Sequence, residues 1–274
     1  MVWQQDVRVI VMLTAEQEGG QIKAHKYWTD KRHGHLRLDN LGERRASLEP
    51  SKIYRHREQA KPASSQQRAA TNHSAKGFNF TKEATTSSPD QDQPYVIVRK
   101  FTLSNDEEPF ARMREITQLQ YSHWPDFGAP AHPTHLLGLI EQTGAVVRSV
   151  NGGTSSQPEP ANSRPVLVHC SAGCGRTGTF CTVDSVVDML KRQRQARNAR
   201  KSSTSMDADT RLSPGNQRDC ENGGWVTNDE MDLIARTVED FRLQRLSMVQ
   251  SLRQFVLCYE SVMEWLVDQH PKSA

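Results

Sequence analysis

The residues with the clearest chemical capacity form His169-Cys-Ser-Ala-Gly-Cys-Gly-Arg-Thr-Gly178, here called the signature loop, which follows the apolar run Pro165–Val168. A glycine-rich turn between a strand and a helix points backbone N–H groups and a helix N-terminus into one small volume that suits a phosphate dianion. The same dipoles favour the thiolate form of Cys170. Arg176 can hold two phosphoryl oxygens with its planar guanidinium. The signature loop therefore predicts a phosphatase site with Cys170 as the nucleophile.

Three other interpretations of this loop explain less. A cysteine after an apolar strand is commonly a buried packing residue. A glycine-rich turn before a helix is common in nucleotide-binding domains, but no lysine lies near enough to complete the pattern Gly-x4-Gly-Lys-Ser/Thr. Cys170 and Cys174 lack the Cys-x-x-Cys spacing of a redox pair.

Cleavage of a phosphate ester also needs an acid outside the signature loop, because the ester oxygen must be protonated as it leaves. The best candidate is Asp126 in the segment His123-Trp-Pro-Asp-Phe-Gly128, here called the acid loop. Pro125 and Gly128 bound this loop and could act as hinges. An ordinary Asx turn is the more frequent reading of such a segment taken alone. The Cys-x5-Arg pattern of the signature loop favours the interpretation of Asp126 as the acid over that of an Asx turn.

The composition limits the class of protein. Hydrophobic residues make up 35% of the 274 residues and the mean hydropathy is −0.71, which indicates one folded domain diluted by polar insertions. The net charge of +3 gives little reason to expect nucleic acid as a partner. No run approaches a membrane span or signal peptide, and five unevenly spaced cysteines fit a reducing compartment. We therefore expect a cytoplasmic protein, with the nucleus as the alternative.

Short apolar and alternating runs predict the strands that position the two loops. The run Val7–Leu13 predicts a buried strand, and Pro94–Leu103 with Met113–Tyr121 predicts an antiparallel ribbon. Helical spacing of apolar residues predicts helices over His135–Val150 and Gly178–Ala196.

Polar composition predicts two low-complexity insertions, at about 44–93 and 197–224, which we expect to be disordered. Thr227 and Glu230 have the spacing of a capping box that begins a helix. A last helix is predicted over Ser251–Val267. Its apolar stripe, expected to face the core, consists of Leu252, Phe255, Val256, Tyr259, Val262, Met263 and Leu266.

Taken in order, these motifs resemble those of the cysteine-dependent protein tyrosine phosphatases of the classical type. The signature loop is similar to the family signature, and Trp124-Pro-Asp126 is similar to its mobile acid loop. Ile10–Thr14, Glu18–Lys23 and Tyr27-Trp28 resemble an upstream stretch of the family, and Gln250–Gln254 resembles its glutamine loop. The resemblance implies an α/β fold with a central twisted mixed sheet flanked by helices. The two insertions are more similar to those of fungal members than of animal ones.

The resemblance also implies roles for individual residues. Cys170 would attack phosphorus, Asp126 would act first as acid and then as base, and Gln250 would direct the hydrolytic water. Thr177 would stabilise the departing thiolate, and His169 would order the signature loop and help to lower the thiolate pKa. The other residues of the implied site are Ser171, Ala172, Gly173, Cys174, Gly175, Arg176, Trp124, Phe127 and Gln254 at the substrate, with Glu18 and Lys23 as supports.

The resemblance implies a monomer that acts on phosphotyrosine-containing proteins without a cofactor. No metal is expected, since His132, His135 and His169 do not complete a ligand set. Cys174 stands where many members carry an apolar residue. It could form a neutral wall of the loop or act as a resolving thiol under oxidation, and we expect the wall.

One part of the family pattern has no counterpart in this sequence. Members normally have helices and strands before the equivalent of Val7, with a Lys-Asn-Arg-Tyr segment that deepens the cleft for tyrosine, and no such segment occurs here. We therefore expect a chain that is truncated at its N-terminus, and tyrosine selectivity rests on the resemblance alone. The alternative function is a poorly active phosphatase-like module that binds phosphopeptides or partner proteins without turnover.

Overall fold

The computed structural model describes residues 1–49, 94–152, 154–203 and 224–269. Its strands are β1 (Val9–Met12), β2 (Gln17–Glu18), β3 (Gln21–Ile22), β4 (Arg32–His33), β5 (Leu36–Ser47), β6 (Tyr95–Asn105), β7 (Arg114–Gln120) and β8 (Val166–His169). Its helices are α1 (Pro133–Asn151), α2 (Gly175–Ser203), α3 (Leu233–Gln244) and α4 (Leu252–Asp268).

Six of the strands form one mixed sheet in the order β4-β5-β6-β7-β1-β8. The predicted strand at Val7–Leu13 is confirmed as β1, which pairs in parallel with both β7 and β8. Met12 is the register partner of Gln120 in β7 and of His169 in β8. The carboxyl ends of three neighbouring strands therefore meet at one edge, where open α/β sheets commonly bind ligands. The acid loop and the signature loop leave the sheet at this edge.

Alternate residues of β1 face opposite sides of the sheet, as a period of two requires. Val9 and Val11 belong to a core cluster that contains buried residues of all four helices, including Leu139 of α1 and Leu257 of α4. Ile10 and Met12 belong to a second cluster on the other face. In the described part of the chain, no residue of α1 to α4 joins that second cluster.

The predicted antiparallel ribbon is confirmed, since Ile97–Leu103 of β6 pair with the whole of β7. A long strand, β5, was not expected and pairs antiparallel with β6. The predicted start of the first insertion at 44 is therefore wrong, because Arg44–Ser47 are strand residues. The start of the second at 197 is also wrong, since α2 continues to Ser203. The rest of both insertions falls largely on residues 50–93 and 204–223, which lie outside the described residues.

Two helix predictions need correction. The predicted capping box at Thr227 and Glu230 is wrong, because α3 starts later, at a cap where Asp232 Oδ1 accepts hydrogen bonds from two backbone N–H groups. The helix over Ser251–Val267 is confirmed as α4, but its predicted apolar stripe is wrong in part. Its buried residues are Gln254, Leu257, Cys258, Ser261 and Val262, whereas Leu252, Val256 and Met263 are exposed. None of the helices in the described ranges is long and apolar enough to cross a membrane.

Candidate active site

Cys170 lies buried at the end of β8, where the chain turns towards the N-terminus of α2. Its Sγ accepts hydrogen bonds of 3.2 Å from the N–H of Gly173 and from the hydroxyl of Thr177. Burial raises the pKa of the thiol, but the Thr177 hydroxyl and the backbone N–H groups of Thr177, Cys174 and Gly173 together outweigh burial and lower the pKa. The geometry therefore favours a thiolate.

The guanidinium of Arg176 lies at the centre of the site with a side chain that is 1% exposed. Its Nη1 donates to Glu18 Oε1 at 2.6 Å and to the Trp124 carbonyl at 2.9 Å. Glu18, at the end of β2, also accepts a hydrogen bond of 2.9 Å from the hydroxyl of Thr14. Among the described residues, neither Nε nor Nη2 of Arg176 forms a hydrogen bond. Nη2 lies 3.2 Å from Asp126 Oδ1 as an ion pair without a hydrogen bond. Two buried donors of a cation that make no hydrogen bond suit an oxyanion ligand.

The acid loop lies against Arg176 and places its carboxylate beside two cations. Asp126 Oδ2 accepts a hydrogen bond of 3.0 Å from Lys23 Nζ, and its Oδ1 lies 3.2 Å from Arg176 Nη2. Trp124 is fully buried and donates from Nε1 to the Gly128 carbonyl at 3.0 Å, which ties the two ends of the loop together. Phe127 is 62% exposed and has a φ of 56°, a left-handed conformation that is rare for such a residue.

His169 is held by a chain of hydrogen bonds whose direction can be assigned. Arg99 can only donate, so its bond to Gln118 Oε1 fixes the amide and turns Gln118 Nε2 to the Tyr27 hydroxyl, at 2.6 Å. The Tyr27 proton is then free to point at His169 Nε2, 3.0 Å away. His169 therefore carries its own proton on Nδ1, which faces the Cys170 carbonyl at 3.4 Å. Burial lowers the pKa of His169, and the hydrogen bond to Cys170 raises it in part.

The segment Gln250–Gln254, here called the glutamine segment, packs on the signature loop. A β-carbon at Gly175 would lie 2.7 Å from Gln250 Oε1 and 2.9 Å from Gln254 Nε2, so the loop accepts only glycine without a shift of these amides. Gln254 is fully buried and its Oε1 accepts from the N–H of Gln250 at 3.0 Å. Its Nε2 has no partner in the described structure.

Three glycines of the signature loop have the spacing Gly-x-Gly-x-x-Gly, which also occurs in dinucleotide-binding loops. In this structure each has a local reason. Gly173 has a φ of +67°, and a β-carbon at Gly178 would lie 2.6 Å from the backbone nitrogen of Val249. Gly175 and Gly178 therefore let residues Met248–Gln254 approach the signature loop closely.

The remaining predicted residues of the signature loop differ in exposure. Ser171 and Ala172 are exposed, whereas Cys174 and Gly175 are buried. The structure therefore brings all the predicted site residues to one edge of the sheet, through the two loops, the β2–β3 hairpin and the glutamine segment.

Sequence reasoning missed two residues that contact this site. Arg245 donates from Nε to Cys174 Sγ at 3.0 Å and from Nη2 to the Ala172 carbonyl at 2.8 Å. Ser251 donates to the carbonyl of Phe127 at 2.9 Å. Neither follows from a local motif, because each lies far along the chain from its partner.

The chain is similar in sequence to known proteins of one family. The family model "Protein-tyrosine phosphatase" matches residues 1–74 and 67–207. Human tyrosine-protein phosphatase non-receptor type 9 is 26% identical over 270 residues, which are 97% of this chain and 31% of that protein. The Caenorhabditis elegans tyrosine-protein phosphatase non-receptor type ptp-2 is 33% identical over 197 residues, which are 70% of this chain and 26% of that protein.

A fungal relative, tyrosine-protein phosphatase 3 of Saccharomyces cerevisiae, is 29% identical over 170 residues, which are 61% of this chain and 15% of that protein. The chain spans less than a third of the length of these curated relatives. The family match covers more than half of the chain, and we conclude that the chain belongs to the protein-tyrosine phosphatase family.

Proposed function

We propose that this chain hydrolyses phosphotyrosine in proteins through a cysteinyl-phosphate intermediate. The observation that supports this most is the placement of a thiol with a lowered pKa beside a buried guanidinium that has two nitrogens without a hydrogen bond. A nucleophile and an oxyanion clamp on one loop are what phosphoryl transfer to a protein side chain requires.

In the proposed first step, the Cys170 thiolate attacks phosphorus as the bond to the phenolic oxygen breaks. Arg176 and the N–H groups of the signature loop hold the equatorial oxygens, whose charge persists through the transfer. Asp126 donates its proton to the leaving phenolic oxygen. Lys23 and Arg176 beside its carboxyl group would hold it over the site.

In the proposed second step, water attacks the phosphorus of the intermediate and the S–P bond breaks. Asp126, now ionised, accepts a proton from this water, and Gln250 orients it from its position against Gly175. The Thr177 hydroxyl, 3.2 Å from Sγ, stabilises the thiolate as it leaves. Inorganic phosphate is the product.

Phosphotyrosine as the substrate class rests on the family and on relatives that are named tyrosine-protein phosphatases. We further propose a cytoplasmic monomer, with the nucleus as the alternative location, that needs no metal or cofactor and binds no nucleic acid. The mild net charge supports the absence of a nucleic-acid partner, and the odd number of cysteines supports a reducing compartment.

The test is turnover of an aryl phosphate and of a phosphotyrosine peptide by the purified, folded chain, beside Cys170→Ser. We expect Cys170→Ser to abolish phosphate release and to keep peptide binding. Cys181→Ser is the matched control, because burial raises the pKa of that thiol to about 12, and it should keep full turnover. A folded chain that binds the peptide without Cys170-dependent release would refute the enzyme and favour the binding module.

A further inference from the structure

One hydroxyl group joins the acid loop to the glutamine segment. Ser251 Oγ donates a hydrogen bond of 2.9 Å to the carbonyl of Phe127, next to Asp126. The same oxygen accepts a hydrogen bond of 3.2 Å from the N–H of Gln254 and caps α4. A carbonyl can only accept and an N–H can only donate, so the direction of both bonds is fixed. Ser251 therefore donates to the acid loop while it accepts from Gln254 of its own segment.

The rest of the cap connects this hydroxyl to the proposed water-directing residue. Gln254 Oε1 accepts from the N–H groups of Gln250 and Ser251, which completes a reciprocal capping box. The acid loop and the side chains that contact Gly175 are thus two hydrogen bonds apart. These are the groups that the proposed function uses in its first and second steps.

Backbone strain lies on both sides of this contact. Phe127 and Val249 both have a φ of 56°, and for a β-branched residue such a value is a genuine outlier. Val249 is held there by Arg242, which donates to its carbonyl at 2.9 Å. Phe127 has its side chain mostly in solvent, and its carbonyl is held by Ser251. Strained residues persist where surrounding contacts hold them, and they cluster at active sites and in segments that switch conformation.

We propose that Ser251 is a positioning residue that holds the acid loop closed and links this closure to the order of the glutamine segment. The proposal rests on the proposed function for the chemistry of Asp126 and Gln250. Without the Ser251 donor, the acid loop would spend more time away from Arg176 and Lys23.

The test separates the two bonds of Ser251 with three substitutions. Ser251→Ala removes both the donor and the cap acceptor, Ser251→Thr keeps both, and Ser251→Asp keeps only an acceptor that caps well. Arg253→Gln is the matched control, because this exposed residue in the first turn of α4 pairs with Glu260, away from the loop. Hydrogen exchange of residues 122–129 measures loop opening without any need for turnover.

We expect hydrogen exchange of residues 122–129 to be about fivefold faster in Ser251→Ala and Ser251→Asp than in Ser251→Thr or Arg253→Gln. This ratio corresponds to the loss of one neutral hydrogen bond. Ser251→Asp should keep the melting temperature, so that its faster exchange reports the lost donor. If Ser251→Ala fails to fold, the comparison of Ser251→Thr with Ser251→Asp carries the test. Equal exchange in those two variants would overturn the proposal.

A second readout concerns the acid itself. Ser251→Ala should slow the hydrolysis of aryl phosphates with poor leaving groups more than of those with good ones. Only poor leaving groups depend on protonation by Asp126, which needs the closed loop. Ser251→Thr should restore the original dependence. Absence of turnover in the unsubstituted chain would refute the proposed function, while the exchange data would still decide the role of Ser251.

Discussion

At the scale of single residues, the pKa of Cys170 is lowered although the thiol is buried. Burial raises this pKa, and the hydrogen bonds to Sγ outweigh it. The thiolate is present above the pKa and is lost as the pH falls through it. Thr177→Val removes one donor to the charged sulfur and therefore raises the pKa. We expect the acidic limb of the pH profile of kcat/KM to move to higher pH, with a loss of about tenfold or more at acidic pH.

The control for this substitution lies in the same helix. Thr182 is also buried, but its hydroxyl has no partner in the described structure, so Thr182→Val should leave the profile in place. The pH dependence of inactivation by iodoacetate gives the thiol pKa independently of turnover. Superimposable profiles for Thr177→Val and the unsubstituted chain would remove the hydroxyl from this role.

The carboxyl group of Asp126 is a separate case, because its proposed role is to move a proton and not to bind phosphate. Asp126→Asn keeps the size of the side chain but cannot protonate a phenolate. We expect kcat for a phosphotyrosine peptide to fall by roughly 10²–10⁴-fold, with KM unchanged or lower. Steady-state kinetics beside a measured peptide Kd would check this, and an unchanged kcat would exclude Asp126 as the acid.

At the scale of elements, the signature loop and the start of α4 fit together through Gly175. A methyl group there would displace the amides of Gln250 and Gln254, whose atoms are the three nearest to its position. We expect Gly175→Ala to slow the second step more than the first, so that the cysteinyl-phosphate accumulates. Rapid-quench measurement of phenol release should then show a burst, and trapped phosphoprotein should increase. Equal slowing of both steps, without a burst, would contradict this.

The elements also show where sequence reasoning succeeds and where it stops. β1 and the signature loop could be predicted because their residues are consecutive and carry local patterns. β5 could not, since Leu36–Ser47 is polar and half exposed and gains its place by pairing with β6. In α4 the buried face contains Gln254, a polar residue that hydrophobic spacing cannot identify as core.

Contacts between distant parts of the chain could not be predicted from local sequence patterns either. The bond between Glu18 and Arg176 joins residues 158 positions apart, and only the family resemblance placed them together. The contact of Arg245 with Cys174 spans 71 positions and had no such guide. Asp126 could be predicted because its own segment carries a local pattern. The pairing of Glu18 with Arg176 and of Arg245 with Cys174 depends on the fold and could not be predicted from chemistry alone.

At the scale of the whole molecule, a polar network crosses the sheet and ends at the signature loop. Arg99 of β6 is 5% exposed and donates from Nη1 to Gln118 and to Gln120 of β7. Gln118 continues through Tyr27 to His169. Burial raises the pKa of Tyr27 to about 12, so its hydroxyl remains a proton donor over the whole working range of pH. The network therefore couples the stability of the sheet to the tautomer of His169.

Arg99→Met tests how much this network contributes to stability, because methionine fills much of the same space but donates no hydrogen bond. The amide oxygens of Gln118 and Gln120 would be left buried without a donor, and we expect the free energy of unfolding to fall by roughly 2–4 kcal/mol. Lys100→Met, the next residue along β6, is the control. Lys100 pairs with Glu115 at the surface, and its loss should change stability by less than about 0.5 kcal/mol. Urea unfolding at neutral pH measures both, and equal stabilities would mean that the buried guanidinium is replaceable by apolar packing.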